Sequence, residues 1–188
     1  SDRVRAGCGA APIAGSVHMD MEPPASPAHG RPAHWFHRRV RPALVAGLGA
    51  GVTIWLLALM TELSALKLLI GPFGASCVLL FALPQSPLAQ PCNVIGGHVL
   101  SSLMGLVALG LFGADASACG IGVGLAVVVM HLTGTMHPPA GGNPLIVILT
   151  GAGWSFLGAP ILAGTVALVL SACLYHRLVS GQPYALRL

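Results

Sequence analysis

Charge is nearly absent from the middle of this chain. Five of its 188 residues are acidic and nine are Lys or Arg, and between Pro42 and His176 the only formal charges are Glu62, Lys67 and Asp115. That stretch excludes an enzyme built on paired carboxylates and a carrier that binds sodium through them. Aromatic residues make up 5% of the chain, and the five cysteines form no CxxC pair or zinc-like spacing. No disulfide framework, metal centre or cofactor is expected.

Apolar residues fill the space instead, at 55% of the sequence. They fall in runs long enough for membrane spans, which need about 20 residues each. The net charge of +4 sits at the ends, with Arg31, His34, His37, Arg38, Arg39 and Arg41 before the first run and His176, Arg177 and Arg187 after the last. This distribution points to a lipid bilayer as partner, with no nucleic acid. The positive-inside rule puts both termini in the cytoplasm and so demands an even number of segments; a bacterial inner membrane is the expected location. Residues 1–40 lack the compact apolar run of a signal peptide and read as a disordered basic tail, followed by a transmembrane domain at 41–177 and a short tail at 178–188.

Two helix-breaking stretches interrupt the apolar runs. One is Gly71-Pro72-Phe73-Gly74-Ala75-Ser76; the other is Met136-His137-Pro138-Pro139-Ala140-Gly141-Gly142-Asn143-Pro144. Such sequence is tolerated at membrane depth only where it lines something polar or is buried in protein. A shift of about 67 positions lays Pro72 on Pro139, Gly74 on Gly141, Ala75 on Gly142 and Ser76 on Asn143. Hydropathy places segments at 43–60, from 63 to 83 with the break at Gly71-Pro72, at 94–112, 119–132 and 144–149, and at 157–175. Three segments per repeat turn the second half upside down relative to the first. The expected fold is an all-α integral membrane bundle of about six transmembrane or half-membrane helical segments, in two inverted three-segment repeats with broken helices. Gly47 with Gly51, and Gly120 with Gly124, offer small-residue faces for packing within the bundle or between protomers of a homo-oligomer.

The breaks suggest a chemistry. Asn143 is expected to cap a half-helix with Pro144 in its first turn, and Ser76 to cap its counterpart. Buried helix N-termini present unpaired N–H groups and partial positive charge, so two of them converging make a weak anion site. Its candidate residues are Gly74, Ala75, Ser76, His137, Gly141, Gly142 and Asn143. Lys67, Gln90, Asn93, His98 and His131 are candidates for a pathway or proton relay, each weighed against a structural role such as snorkelling or interhelical hydrogen bonding.

The run from His137 to Leu145 resembles the signature of the HPP family of integral membrane proteins. The elements Gly71 to Ser76 and Ser86-Pro87-Leu88-Ala89-Gln90-Pro91 leading into Asn93-Val94-Ile95-Gly96-Gly97-His98 match it in order, over roughly residues 40 to 178. The resemblance implies a small helical membrane domain, often described with four spans, and in plastid and cyanobacterial members an association with nitrite transport. In the family a basic residue often follows the Gln-Pro pair, where this chain has Cys92.

The expectation is therefore a transporter or channel for a small monovalent anion, nitrite foremost, and not an enzyme. Two other readings are open: a metal-handling or structural subunit in which His98, His131 and His137 converge, and an intramembrane enzyme using Ser76 and His137.

Overall fold

The computed structural model describes residues 36–64, 66–181 and 184. The proposed basic tail lies outside the described residues except for Phe36–Val40, a helical turn that runs into α1, Arg41–Leu63. The other elements are α2, Gly71–Ala82; α3, Pro91–Phe112; α4, Ala116–Leu132; α5, Asn143–Thr150, entered through a tighter helical turn at Pro138–Gly142; and α6, Trp154–Ser180. The described chain is thus all-helical in six segments. Stretches Arg38–Leu63, Pro91–Phe112 and Trp154–Ser180 are long and apolar enough to cross a membrane. Outward-facing Leu44, Trp55, Leu111 and Leu149 leave more than half of their surface exposed, as a lipid-facing wall does.

Local chemistry explains where each segment starts and stops. Residues 66–70 are not helical, where the sequence suggested the first part of a second span. Two hydroxyls divert the chain: the Ser64 Oγ accepts from the Leu66 N–H at 3.2 Å, and the Thr61 Oγ1 accepts from the Leu68 N–H at 3.0 Å. These side chains replace helical partners and let the backbone leave α1. Pro72 then sits in the first turn of α2, where its missing N–H costs least. In α6, Ala159 departs from helical geometry at φ −136°, ψ 124° just before Pro160, the residue class that most often breaks a helix.

The two halves run in opposite senses. The Tyr175 hydroxyl donates to the Val45 carbonyl at 2.6 Å, and His176 Nε2 lies 2.8 Å from the Leu80 carbonyl. The start of α1, the end of α2 and the end of α6 therefore share one face of the bundle. Ile148 near the end of α5 clusters with Ala108 of α3 and Ala118 of α4, at the opposite face. Helices α2 and α5 thus point outward in opposite directions from the middle. At 12 residues, α2 rises only about 18 Å, well short of a hydrocarbon core of about 30 Å. The helical starts correspond as well, because Ile70 and His137, the residues preceding them, are paired by the same shift that pairs Ser76 with Asn143.

Glycine packing differs from the sequence reading by half a turn. Nothing lies within 4 Å of a Cβ built on Gly47, Gly51, Gly120 or Gly124, whereas Gly49 faces Phe81 and Tyr175, and Gly122 faces Ile148, Ala108 and Pro144. The tight contacts fall on the glycine midway between each expected pair. The main core joins Leu57 of α1, Phe73 and Leu80 of α2, Val94 of α3 and Leu168 of α6. Cys77, Cys119 and Cys173 are free thiols.

Candidate functional site

At the meeting of the half-helices, Ser76, His98, His137 and Asn143 are each 0% exposed and hydrogen-bonded to one another. Ser76 Oγ lies 2.9 Å from His98 Nε2 and 2.8 Å from His137 Nε2. His137 Nδ1 lies 2.8 Å from the Leu88 carbonyl, and Asn143 Nδ2 lies 2.9 Å from His98 Nδ1. The imidazole rings of His98 and His137 are 5.1 Å apart, and the edge of the Phe73–His98 pair closes another side.

The partners fix the direction of every bond. A carbonyl only accepts, so His137 carries its proton on Nδ1 and its Nε2 accepts from the Ser76 hydroxyl. The Asn143 amide nitrogen also donates to the His98 carbonyl at 3.1 Å and to Ser102 Oγ at 3.0 Å, which fixes which end of the amide faces α3. His98 Nδ1 therefore accepts, and its Nε2–H donates to Ser76. The result is a one-way chain from the Asn143 amide through His98, Ser76 and His137 to the Leu88 carbonyl. The Asn143 Oδ1 is buried with no hydrogen-bond partner among the described residues.

The geometry moves Ser76 and Asn143 away from the capping roles read from sequence. Ser76 lies within α2 and its hydroxyl also reaches the Pro72 carbonyl at 3.2 Å. Asn143 has helical φ/ψ and spends its amide on α3. Prolines also thin the supply of backbone donors, since Pro72, Pro138 and Pro139 have no N–H, and the N–H groups of Phe73 and Ala140 bond to the carbonyls of Ile70 and His137. Polar capacity at the centre comes chiefly from side chains.

The candidate residues separate into groups. Gly74 and Ala75 are exposed on the side of α2 away from Ser76, and a Cβ on Gly141 would meet nothing within 4 Å. Gly142 abuts the other half-helix, its built Cβ falling 3.4 Å from Pro72 Cγ. Asn93 donates to the carbonyls of Gly134 at 3.3 Å and Met136 at 2.9 Å, pinning the extended segment that leads into His137. Gln90 donates to the Pro84 and Ser86 carbonyls within its own loop. Lys67 is exposed and lines a cleft of about 850 Å³ with Ile70, Ile146, Thr150 and Ser155. His131 is exposed on α4, so the convergence of His98, His131 and His137 does not form. No group of three His, Cys, Asp or Glu side chains poised for a metal occurs among the described residues.

Three participants are not among the candidate residues. Ser101 donates to the Ala140 carbonyl at 2.5 Å, fastening the turn that opens α5, and Ser102 receives Asn143; both lie one turn beyond His98. The Leu88 carbonyl has no side-chain signature at all. His176, read with the basic residues after the last span, is buried, with Nδ1 2.6 Å from Ser180 Oγ and its ring stacked on Phe81 and Tyr184.

Comparison with known proteins agrees with this architecture. The family description "HPP, transmembrane region" matches residues 36–185. Two curated proteins of Dictyostelium discoideum, each named only as a transmembrane protein, are 36% identical over 129 residues and 35% identical over 124 residues. Those alignments take in 64% and 62% of this chain but 45% and 40% of the relatives, so the chain spans less than half the length of the curated proteins it matches. No solved structure matches.

Proposed function

The chain belongs to the HPP transmembrane family, and from that premise we propose that it carries a small monovalent anion, nitrite first among candidates, across the membrane. The observation that carries this reading is His98 held on one ring nitrogen by Ser76 of α2 and on the other by Asn143 of α5. Two discontinuous helices from inverted repeats that share a buried polar residue form the arrangement in which transporters place their solute site. Electrostatics favour an anion. The N-terminal, positive ends of both half-helices lie at this centre, and the charged residues of the described membrane region, Glu62, Lys67 and Asp115, all lie outside the polar cluster.

Lys67 at the mouth of the cleft supplies a point of attraction on one side. Arg38, Arg39, Arg41 and Arg177 are exposed at the other, and we place that end in the cytoplasm of a plasma membrane. A hydrolytic role for Ser76 is disfavoured by its neighbours. His137 is placed to take its proton, but its other ring nitrogen is held by the Leu88 carbonyl where a hydrolase would place a carboxylate, and His98 Nε2–H already engages one of the two lone pairs of the oxygen.

Anion flux into proteoliposomes tests the reading, with nitrite, nitrate, formate and chloride compared. Nitrite entry at least tenfold above empty vesicles, lost in Asn143→Leu, is the expected result. Protein shown to be folded and inserted that moves none of the four anions overturns it.

A further inference from the structure

We propose that the Ser76 cluster is a binding site for a single proton, stored on His137, and that this proton is the partner ion of the carried anion; the second half of the statement rests on the transport reading above. Two acceptors, His137 Nε2 and the Pro72 carbonyl, compete for the one hydroxyl hydrogen of Ser76, while His98 Nε2–H donates to its oxygen. His137 Nε2 is at 2.8 Å, the Pro72 carbonyl is at 3.2 Å, and His98 Nε2 approaches the same oxygen at 2.9 Å. In the neutral cluster the hydroxyl donates to His137.

When a proton binds His137 Nε2, that nitrogen becomes a donor and the Ser76 hydroxyl rotates to give its hydrogen to the Pro72 carbonyl. Ser76 Oγ then accepts from both histidines on its two lone pairs. His137 keeps its Nδ1–H on the Leu88 carbonyl, and Asn143 keeps its amide on His98. Every hydrogen bond of the cluster survives the uptake; only one O–H bond has turned. One Nε2–H bond forms, no bond between heavy atoms forms or breaks, and the balance is one proton in and one positive charge gained.

A second proton meets the opposite situation. His98 Nδ1 faces the Asn143 amide nitrogen, which has only hydrogens to offer, so protonation there sets donor against donor. The site therefore holds one proton, and holds it on one named ring. The side chains in contact with it support this count: Phe73 on α2 against His98, Ser102 on α3 against Asn143, and Ser101, which fastens the turn before α5. None of these is a carboxylate or a cation. A bound proton is thus the dominant local charge, an attractive partner for a monovalent anion and one whose charge that anion cancels.

Histidine ring-nitrogen NMR of the intact chain in lipid nanodiscs tests this without any transport assay. At neutral pH, His98 is expected as the Nε2–H tautomer and His137 as the Nδ1–H tautomer. On acidification His137 alone becomes the doubly protonated form, with His98 unchanged. Ser76→Ala is expected to lose that uptake, and Ser76→Thr, which restores a hydroxyl, to regain it. The proposal is overturned if His98 protonates with or before His137, if His98 carries its hydrogen on Nδ1, or if neither ring takes up a proton before the protein unfolds. A normal NMR result beside absent anion flux would remove the transport reading and leave the proton site standing.

Discussion

Ser76 and Asn143, one full repeat offset apart in sequence and equivalent within the two repeats, grasp opposite nitrogens of the same imidazole, that of His98. One bond comes from the half-helix that runs toward the basic face and the other from the half-helix that runs away from it. A shift of either helix along its axis changes the hydrogen bonding of a residue on α3 that belongs to neither.

Asn143→Asp tests how strictly the amide sets that histidine. The change is nearly isosteric, but it replaces two hydrogens by an acceptor. His98 must then present Nδ1–H to the carboxylate, its Nε2 becomes an acceptor, and the single Ser76 hydrogen cannot serve both rings. A reversed His98 tautomer in NMR and at least a tenfold fall in nitrite flux are expected. The fold should be weakened by roughly 1–3 kcal/mol for the group left without a partner, measured by unfolding in detergent.

Gly105→Ala should be costly for packing reasons alone. A Cβ there would lie 2.7 Å from Pro144 Cα and 3.2 Å from Val147 Cβ, so α5 has to move away from α3. Overpacking of this kind costs about 1–3 kcal/mol. Gly110→Ala, on the same helix with nothing within 4 Å, should be neutral or slightly stabilising through helix propensity. Equal melting temperatures for the two variants would contradict the α3–α5 contact.

Asp115 gives a pH-dependent end effect. It caps α4, accepting from the Ala118 N–H at 2.7 Å and from the Ser117 hydroxyl at 2.8 Å, and these bonds hold its carboxyl below the usual carboxylate range. A depressed folded-state value contributes stability that is present above the unfolded value of about 4 and is lost as pH falls through the folded one. Asp115→Asn should therefore melt below the native chain at pH 7, with the gap closing as pH falls below about 4. A gap independent of pH would show that the charge contributes nothing.

Asn93→Ala should loosen the approach to His137. The amide is the donor to both the Gly134 carbonyl, in a turn at φ 67°, and the Met136 carbonyl, in the non-helical stretch after it. Interhelical bonds of this type average roughly 0.6 kcal/mol in membranes, so a loss of about 1 kcal/mol is expected for the pair. Faster hydrogen exchange confined to residues 133–137 would register it, and unchanged exchange there would refute the role.

The architecture was readable because its signals are local. Proline and glycine mark the helix breaks, apolar length marks the spans, and the repeat offset found in Pro72 and Pro139 predicts the equivalence of Ile70 and His137 as the residues preceding each short helix. The cluster was only half readable. Ser76, His137 and Asn143 stand out in the motifs, whereas His98, the residue that unites them, is legible only as a pathway or relay candidate weighed against interhelical hydrogen bonding. The Leu88 carbonyl that sets the His137 tautomer is backbone and leaves no mark in composition. The glycines that pack within the bundle were not legible because spacing gives a periodicity without its phase: Gly47 and Gly51 share a face, yet only the fold shows that Gly49 is on the side that meets Phe81.

Two halves of opposite sense give the bundle nearly the same apolar profile when it is turned upside down. Hydrophobic thickness and packing therefore say little about which way up the chain inserts. The sense of insertion falls to Arg38, Arg39, Arg41 and Arg177, exposed at one face, against Glu62 and Asp115 with Lys67 at the other. A molecule whose internal symmetry is indifferent to up and down takes its polarity from a handful of surface guanidinium groups.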